Sequence, residues 1–422
     1  MYHSFCIFTG AIFIMQQQEL IPHLFRTEYR KIVSVLCRHF GLGQIEIAED
    51  LASDTFLTAA QTWGIKGLPP NPTAWLYSVA KNKAKNYLQR EHTFDSKIAP
   101  ALIDADQFMP GDIDLSTQNI NDSQLQMMFA VCHPVNSQEA QIGLALRILC
   151  GFGIDEIADA FLSNKEAVNK RLYRAKEKLR EQKIKMVYPG DAEVAARLPS
   201  VLTTLYLLFN EGYYSESQNH ILRKDLCLEA MRLCTMLIEN KSTNKPEANA
   251  LLALMCFHAS RFDARIDEHG RHVLYDEQDT SLWDSDLVSK GIYFLSCAAN
   301  GDKISNYHLE ASIAWWGTQK TDSKEKWENV LQLYDQLLQI AYSPVAALNR
   351  IYALSKVAGK QAAIPEAEKL NLADNPFYFA LLGELYTGID NNNAKLNFQQ
   401  AYSLAKTGAE KQTMQRKIDS FN

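Results

Sequence analysis

The chain has 422 residues, with 43 Lys and Arg against 49 Asp and Glu and a formal net charge of −6. Apolar residues make up 47% and there are only 13 Pro and 19 Gly, so about two or three domains with sizeable, mostly helical cores are feasible. Through Pro189 the charges balance at 20 and 20, and all excess acid lies beyond it, 29 acidic against 23 basic; overall charge therefore indicates no nucleic-acid partner, and local clustering decides.

In chain order, MYHSFCIFTGAIFI is apolar but lacks a positive n-region and a small-residue cleavage site, and is too short to span a bilayer. The polar MQQQE that follows suggests translation starting at Met15. No later segment is expected to be transmembrane, so a cytoplasmic protein is expected. Residues 19–40 form an amphipathic helix ended by Gly41 and Gly43. A second helix starts near Glu46, with Ile47, Leu51, Phe56 and Leu57 inward and Glu49, Asp50 and Asp54 outward. The prolines of GIKGLPPNP (Gly64–Pro72) force a loop. A third helix, Thr73–Glu91, is apolar first and basic later, with Lys81, Lys83, Lys85 and Arg90 among Asn82, Asn86 and Tyr87. Trp75 and Tyr77 read as core residues, with base stacking as the other option.

Residues 98–124 read as an acidic linker: Asp104, Asp106, Asp112, Asp114 and Asp122 occur with no Lys or Arg after position 98. It is either a solvated tether or a nucleic-acid mimic. Then Ile154, Ile157, Ala158 and Phe161 keep helical spacing, a break follows at Leu162-Ser163, and Asn164 is a good N-cap for a basic helix. That helix turns Ala167, Val168, Leu172, Ala175 and Leu179 inward and carries Lys165, Lys170, Arg171, Arg174, Lys176 and Lys178 elsewhere. Two short helices with a tight turn suit a helix-turn-helix entering a major groove; a helical hairpin with a solvated cationic face fits as well.

Beyond Pro189 the apolar spacing gives helices over Leu198–Phe209, Leu222–Glu239, Glu247–Arg261, Trp283–Ala299 and Trp327–Ala341. Ser343-Pro344 and Asn375-Pro376 each open a helix pair at about the spacing of a TPR repeat. The eight cysteines show no CxxC and no zinc spacing, as expected of reduced buried thiols. There is no glycine-rich phosphate loop, nucleophile elbow or HExxH, so no catalysis, metal or cofactor is expected.

The order of an acidic helix, a basic helix, an acidic linker and a helix-turn-helix resembles an extracytoplasmic-function (ECF) sigma factor of the sigma-70 family. Ala48-Glu49-Asp50-Leu51 through Phe56 resembles its region 2.2, and Trp75-Leu76 through Ala80-Lys81-Asn82 its WLxxxARN stretch. Gly67-Leu68-Pro69, Cys132-His133-Pro134, Leu205–Tyr214, Asp276-Glu277-Gln278-Asp279 with Trp283-Asp284, and Ser343–Arg350 resemble the subgroup with a long TPR-like C-terminal extension. Where the family usually has Gln, Asp, Arg and Arg, this chain has Ser53, Asn86, Gln89 and Thr280.

The resemblance implies an all-α protein: sigma region 2 (15–97), linker (98–124), region 4 helix-turn-helix (125–187) and a TPR-like domain (190–422). It implies a sigma factor that binds core RNA polymerase and directs it to promoter DNA. Asp50, Ser53, Asp54 and Phe56 would form the docking face for core polymerase. Lys81, Lys85 and Arg90 would hold phosphates at the −10 element, and Asn82 and Asn86 would reach base edges. Lys165, Asn169 and Lys170 would face the −35 major groove, with Arg171 and Arg174 on phosphate or guanine. Glu211, Tyr213, Asp276, Gln278, Asp279, Trp283 and Arg350 would either line a pocket for an unidentified ligand or protein, or pin helices together. A DNA-binding regulator that never enters polymerase, and a TPR adaptor with a vestigial sigma module, are the alternatives.

Overall fold

A computed structural model describes residues 3–98, 113–161, 163–214, 223–267, 273, 275–405 and 407–421. The side chains of 3–19, 91–98, Tyr214, Asp276 and Ala409 lie outside the described residues. So do the expected start at Met15 and linker residues Asp104, Asp106 and Asp112. Among the described residues the architecture is all-α, with eighteen helices, 77% helix and no strand. The chain divides into two compact units, Met1–Thr204 and Leu205–Asn422.

The first unit contains α1 (His3–Phe40), α2 (Ile45–Lys66), α3 (Pro72–Ile98), α4 (Thr117–Val131), α5 (Gln138–Ile148), α6 (Ile154–Ala160) and α7 (Lys165–Glu181). The division falls within α8 (Asp191–Tyr214). Helix α1 buries Ile32, Val33, Val35, Leu36 and Phe40 against its neighbours. Ala48, Ala52 and Ala59 of α2 and Ala80 and Ala84 of α3 are fully buried; small side chains let two helices approach closely.

Helix α4 corrects the expected linker. Residues from Thr117 onward are helical, and Ile120, Leu125, Met127 and Met128 are buried, where α4 packs on α1. Ser116 caps it by accepting from the Asn119 backbone N–H at 3.4 Å, and Arg38 of α1 donates to Asn119 Oδ1 at 2.6 Å. Of the acidic residues that suggested a tether, Asp114 lies just before the Ser116 cap and Asp122 sits on α4, accepting from Gln118.

Asp191–Tyr213 is long and apolar enough, by length and composition, to cross a membrane, against the expectation that no later segment would be, and 56% of it is buried within the protein. Arg197 sits inside that stretch at 7% exposure, donating to the Phe129 carbonyl at 3.1 Å and to Glu193 at 2.6 Å. A core helix whose arginine is paired through its two terminal nitrogens explains the composition.

The second unit holds α9 (Lys224–Glu239), α10 (Pro246–Ala259), α11 (Ser285–Ala298), α12 (Asn306–Trp316) and α13 (Lys324–Ile340). It continues with α14 (Pro344–Ala358), α15 (Lys360–Leu370), α16 (Pro376–Tyr386), α17 (Asn391–Leu404) and α18 (Gly408–Asp419). Helix α10 is buried at every position from Ala248 to Phe257 and is surrounded by α9, α11 and α12, as a helix apolar on all sides must be. Ser343 and Asn375 cap α14 and α16, with Pro344 and Pro376 as first helical residues. Gly383 on α16 faces Phe398 on α17, so closely that a Cβ there would lie 2.8 Å from the ring. The sequence reading did not anticipate α12.

Candidate polymerase and nucleic-acid interface

On α2, Asp50, Ser53 and Asp54 are exposed, whereas Phe56 is buried. Ser53 Oγ donates to the Glu49 carbonyl at 2.8 Å and lies 3.2 Å from Tyr29 Oη. Phe56 packs edge-on against Phe25 at 5.1 Å. Asp54 pairs with Lys83 of α3 at 2.5 Å, a direct tie between the acidic helix and the basic one.

On α3, Asn82, Lys85, Asn86 and Arg90 are exposed and Lys81 is half-buried. The exposed four follow i, i+3, i+4, i+8 spacing and so share one face, opposite the buried Leu76, Ala80 and Ala84. Trp75 packs edge-on against Trp63 at 5.3 Å, and Tyr77 donates to Glu28 at 2.5 Å. Both aromatic residues thus have intramolecular contacts, consistent with a core role.

Helix α7 starts at the Asn164 cap, whose Oδ1 accepts from the Ala167 N–H at 2.8 Å, and buries Val168, Leu172, Ala175 and Leu179. Asn169, Lys170 and Arg174 are exposed. Lys165 pairs with Asp155 at 2.7 Å, and that carboxylate raises its pKa. Arg171 pairs with Glu139 at 3.0 Å and lies over the Phe161 ring at 5.9 Å. Sequence reasoning missed Tyr173, 68% exposed beside Asn169 and Arg174; its i+4 spacing from Asn169 was the available signal.

Sequence reasoning also missed where the end of α7 goes. Lys176 Nζ lies 3.4 Å from Glu46 and 3.9 Å from Glu49. Arg180 reaches Glu46 at 3.1 Å and the Gly43 carbonyl at 3.2 Å. Beneath these ions, Leu42, Ile45, Ile148 and Leu179 line an apolar crevice. A second tie is Arg30, which donates to the Ile148 carbonyl at 3.1 Å and pairs with Glu49 at 3.3 Å. Burial lowers the pKa of its guanidinium, and Glu49 opposes that shift. The acidic residues of α2 are therefore divided: Asp50 is exposed to solvent, while Glu46 and Glu49 face cations of α1 and α7.

Residues 24–93 match the model of sigma-70 region 2. The chain belongs to the sigma-70 family. Members are non-enzymatic transcription factors, and region 2 implies core RNA polymerase and promoter DNA as partners of this family chain in transcription initiation. The match covers the acidic helix, the proline loop and the exposed polar face of α3. Residues 197–299 match a family of unknown function (DUF6596). An uncharacterized protein of Rhizobium meliloti (strain 1021) is 30% identical over 394 residues, covering 92% of each chain. No solved structure matches.

Of the polar residues singled out beyond residue 189, all but Arg350 fall within 197–299. Arg350 pins α14 to α13 through Asp335 at 2.5 Å. Asp279 accepts from the Ser281 N–H at 2.8 Å as a helix cap.

Proposed function

We propose that this chain is an ECF-type sigma factor that binds core RNA polymerase through α2 and reads promoters with α3 and α7, under regulation by its second unit. The match of 24–93 to sigma-70 region 2 carries the reading. In it, Asp50, Ser53 and Asp54 dock on core polymerase, with Phe56 buried. Lys81, Lys85 and Arg90 hold phosphates of the −10 element, while Asn82 and Asn86 reach its bases. The α6–α7 pair acts as a region 4 helix-turn-helix, with Asn169, Lys170 and Arg174 toward the −35 groove. Lys165 and Arg171 join them by exchanging Asp155 and Glu139 for phosphates. The chain works in the cytoplasm, and the helix pairs of the second unit form a TPR-like extension.

Elements named for positions −10 and −35 are about 25 base pairs apart, roughly 85 Å at about 3.4 Å per pair. Helix α7, at 17 residues, is about 26 Å long. With α7 seated on α2, the two reading helices cannot span that distance, so this packing supports a resting form that must open on polymerase.

Run-off transcription with core polymerase and the full chain, on fragments of its own genome, tests the reading. Transcripts from discrete starts are expected. Silence together with failure to co-purify with core polymerase rejects it, while promoter-specific binding without co-purification would leave a DNA-binding regulator.

A further inference from the structure

In the second unit, two cations for which no carboxylate partner is found among the described residues lie close to one aromatic ring. Lys326, at the start of α13, is 4% exposed. Its ammonium donates to neutral acceptors, the Gln319 carbonyl at 3.0 Å and Tyr275 Oη at 3.3 Å. Arg261, just after α10, contacts Tyr213 Oη and His258 Nδ1, each at 3.4 Å. Its Nε is buried with no hydrogen-bond partner. The Arg261 guanidinium lies 5.3 Å and the Lys326 ammonium 5.7 Å from the centre of the Tyr275 ring.

Among the described carboxylates of the flanking segments, Asp263 pairs with Lys224 at 2.5 Å, Asp322 meets the Trp327 indole and Lys356, Asp279 and Asp284 serve as caps, and Glu277 is exposed. Two cations near one ring, with no counter-charge among the described residues, favour binding an anion.

Two further unsatisfied groups lie on the same short segment. Trp283 packs against Tyr275 with ring centres 6.2 Å apart, and its indole Nε1 is buried without a partner, as is Gln278 Oε1. Unpaired buried polar atoms are rare and costly in native proteins. Here there are two donors, one charged, and one acceptor beside aromatic faces. Tyr275, Gln278, Trp283 and Arg261 are each only half-buried as residues. The residues are held in place: Tyr275 Oη donates to the Gly317 carbonyl at 2.8 Å, and the Asp284 N–H to the Ser260 carbonyl at 2.8 Å.

We propose that the second unit binds a small, flat organic anion that also carries a hydrogen-bond donor, stacked at Tyr275 and Trp283. Arg261 and Lys326 receive its charge, the indole N–H of Trp283 adds a donor, and Gln278 accepts from the ligand. A planar guanidinium beside aromatic faces recognises a conjugated carboxylate in this way. The inference does not depend on the sigma-factor reading, because every residue in it belongs to the second unit.

Isothermal titration of the full chain with 4-hydroxybenzoate, benzoate, phenol and inorganic phosphate tests it. Saturable binding of 4-hydroxybenzoate is expected, weaker for benzoate, which lacks the donor, and weaker still for phenol and for phosphate, which lack charge and plane respectively. Arg261→Met and Lys326→Met should each weaken 4-hydroxybenzoate about tenfold or more, while Lys411→Met on the exposed face of α18 leaves it unchanged. Trp283→Phe keeps an aromatic ring, though a smaller one, and removes the donor; it should weaken binding severalfold while the protein stays folded, and it serves if the methionine variants do not fold. No saturable binding of any probe, phenol binding as well as 4-hydroxybenzoate, or a folded variant of Arg261, Lys326 or Trp283 that binds like the parent overturns the proposal.

Discussion

Arg180 on α7 donates from Nη2 to Glu46 Oε2 on α2 at 3.1 Å, joining two side chains 134 positions apart in the chain. With Lys176 and Glu49 it forms a four-charge contact between the basic helix and the acidic one. Both Arg180 and Glu46 are 49% exposed, so each pair contributes only about 0.2–1 kcal/mol and is screened by salt. In the proposed function, a contact of that strength holds the resting arrangement and still yields to polymerase.

Reversing one charge should open it. Arg180→Glu is expected to expand the protein in sedimentation velocity and, in the proposed function, to raise run-off transcription by up to about tenfold, the equivalent of about 1.4 kcal/mol. Adding Glu46→Arg to that variant should restore the compact form. A variant that sediments like the parent at low salt would show that the apolar crevice, and not the ions, holds α7.

Phosphate contacts and base contacts should separate on α3. In the proposed function, Lys85→Ala and Arg90→Ala weaken promoter binding about equally on all sequences and each reduce the salt dependence by about one phosphate contact. Asn86→Ala should change the preferred −10 sequence with little effect on the salt slope. Binding titrations at several salt concentrations distinguish the two classes.

Acid should destabilise the second unit through His258. Its ring lies 4.9 Å from that of Tyr213, and burial first, then Arg261 and Arg265, holds its pKa well below the ordinary value of 6.5. The folded state therefore keeps it neutral, while the unfolded chain takes a proton below about pH 6.5. Stability is fully present above that pH and falls as pH drops through it, by at most about 1.4 kcal/mol per pH unit for this group. Chemical denaturation from pH 7.5 to 5.5 should show that slope, flattened in His258→Asn.

Close packing should make Gly383 intolerant. Its missing Cβ would meet Phe398 at 2.8 Å, so Gly383→Ala is expected to cost about 1–3 kcal/mol by overpacking, measurable by urea denaturation. Gly64, with nothing within 4 Å, is the control: Gly64→Ala, inside α2, should be neutral or slightly stabilising.

Native thiols should divide by burial. Desolvation raises the thiols of Cys132, Cys227 and Cys256 to about 12 and those of Cys37 and Cys234 further still, whereas Cys150 and Cys297 are partly exposed. Iodoacetamide at neutral pH should label Cys150 and Cys297 before those five buried thiols, read by peptide mass spectrometry.

Local signals determined much of this protein. Apolar spacing and the caps at Asn164, Ser343 and Asn375 fixed where helices start, because those features act within one turn of chain. The alternation of charge along α3 likewise put Asn82, Lys85, Asn86 and Arg90 on one face, since helical periodicity alone decides that. Tertiary structure decided the rest. The acids of Asp114 and Asp122 read as a tether until α4 was seen packed on α1. Phe56 looked available for docking and is buried against Phe25 and Tyr29. Lys176 read as part of the basic surface of its helix and meets Glu46 and Glu49, with Arg180 beside it on Glu46. Likewise, Arg261 and Lys326 carry no local mark of being neighbours; only the fold puts them around Tyr275. Contacts across many tens of residues depend on which faces pack together, and periodicity within a segment holds no record of that choice.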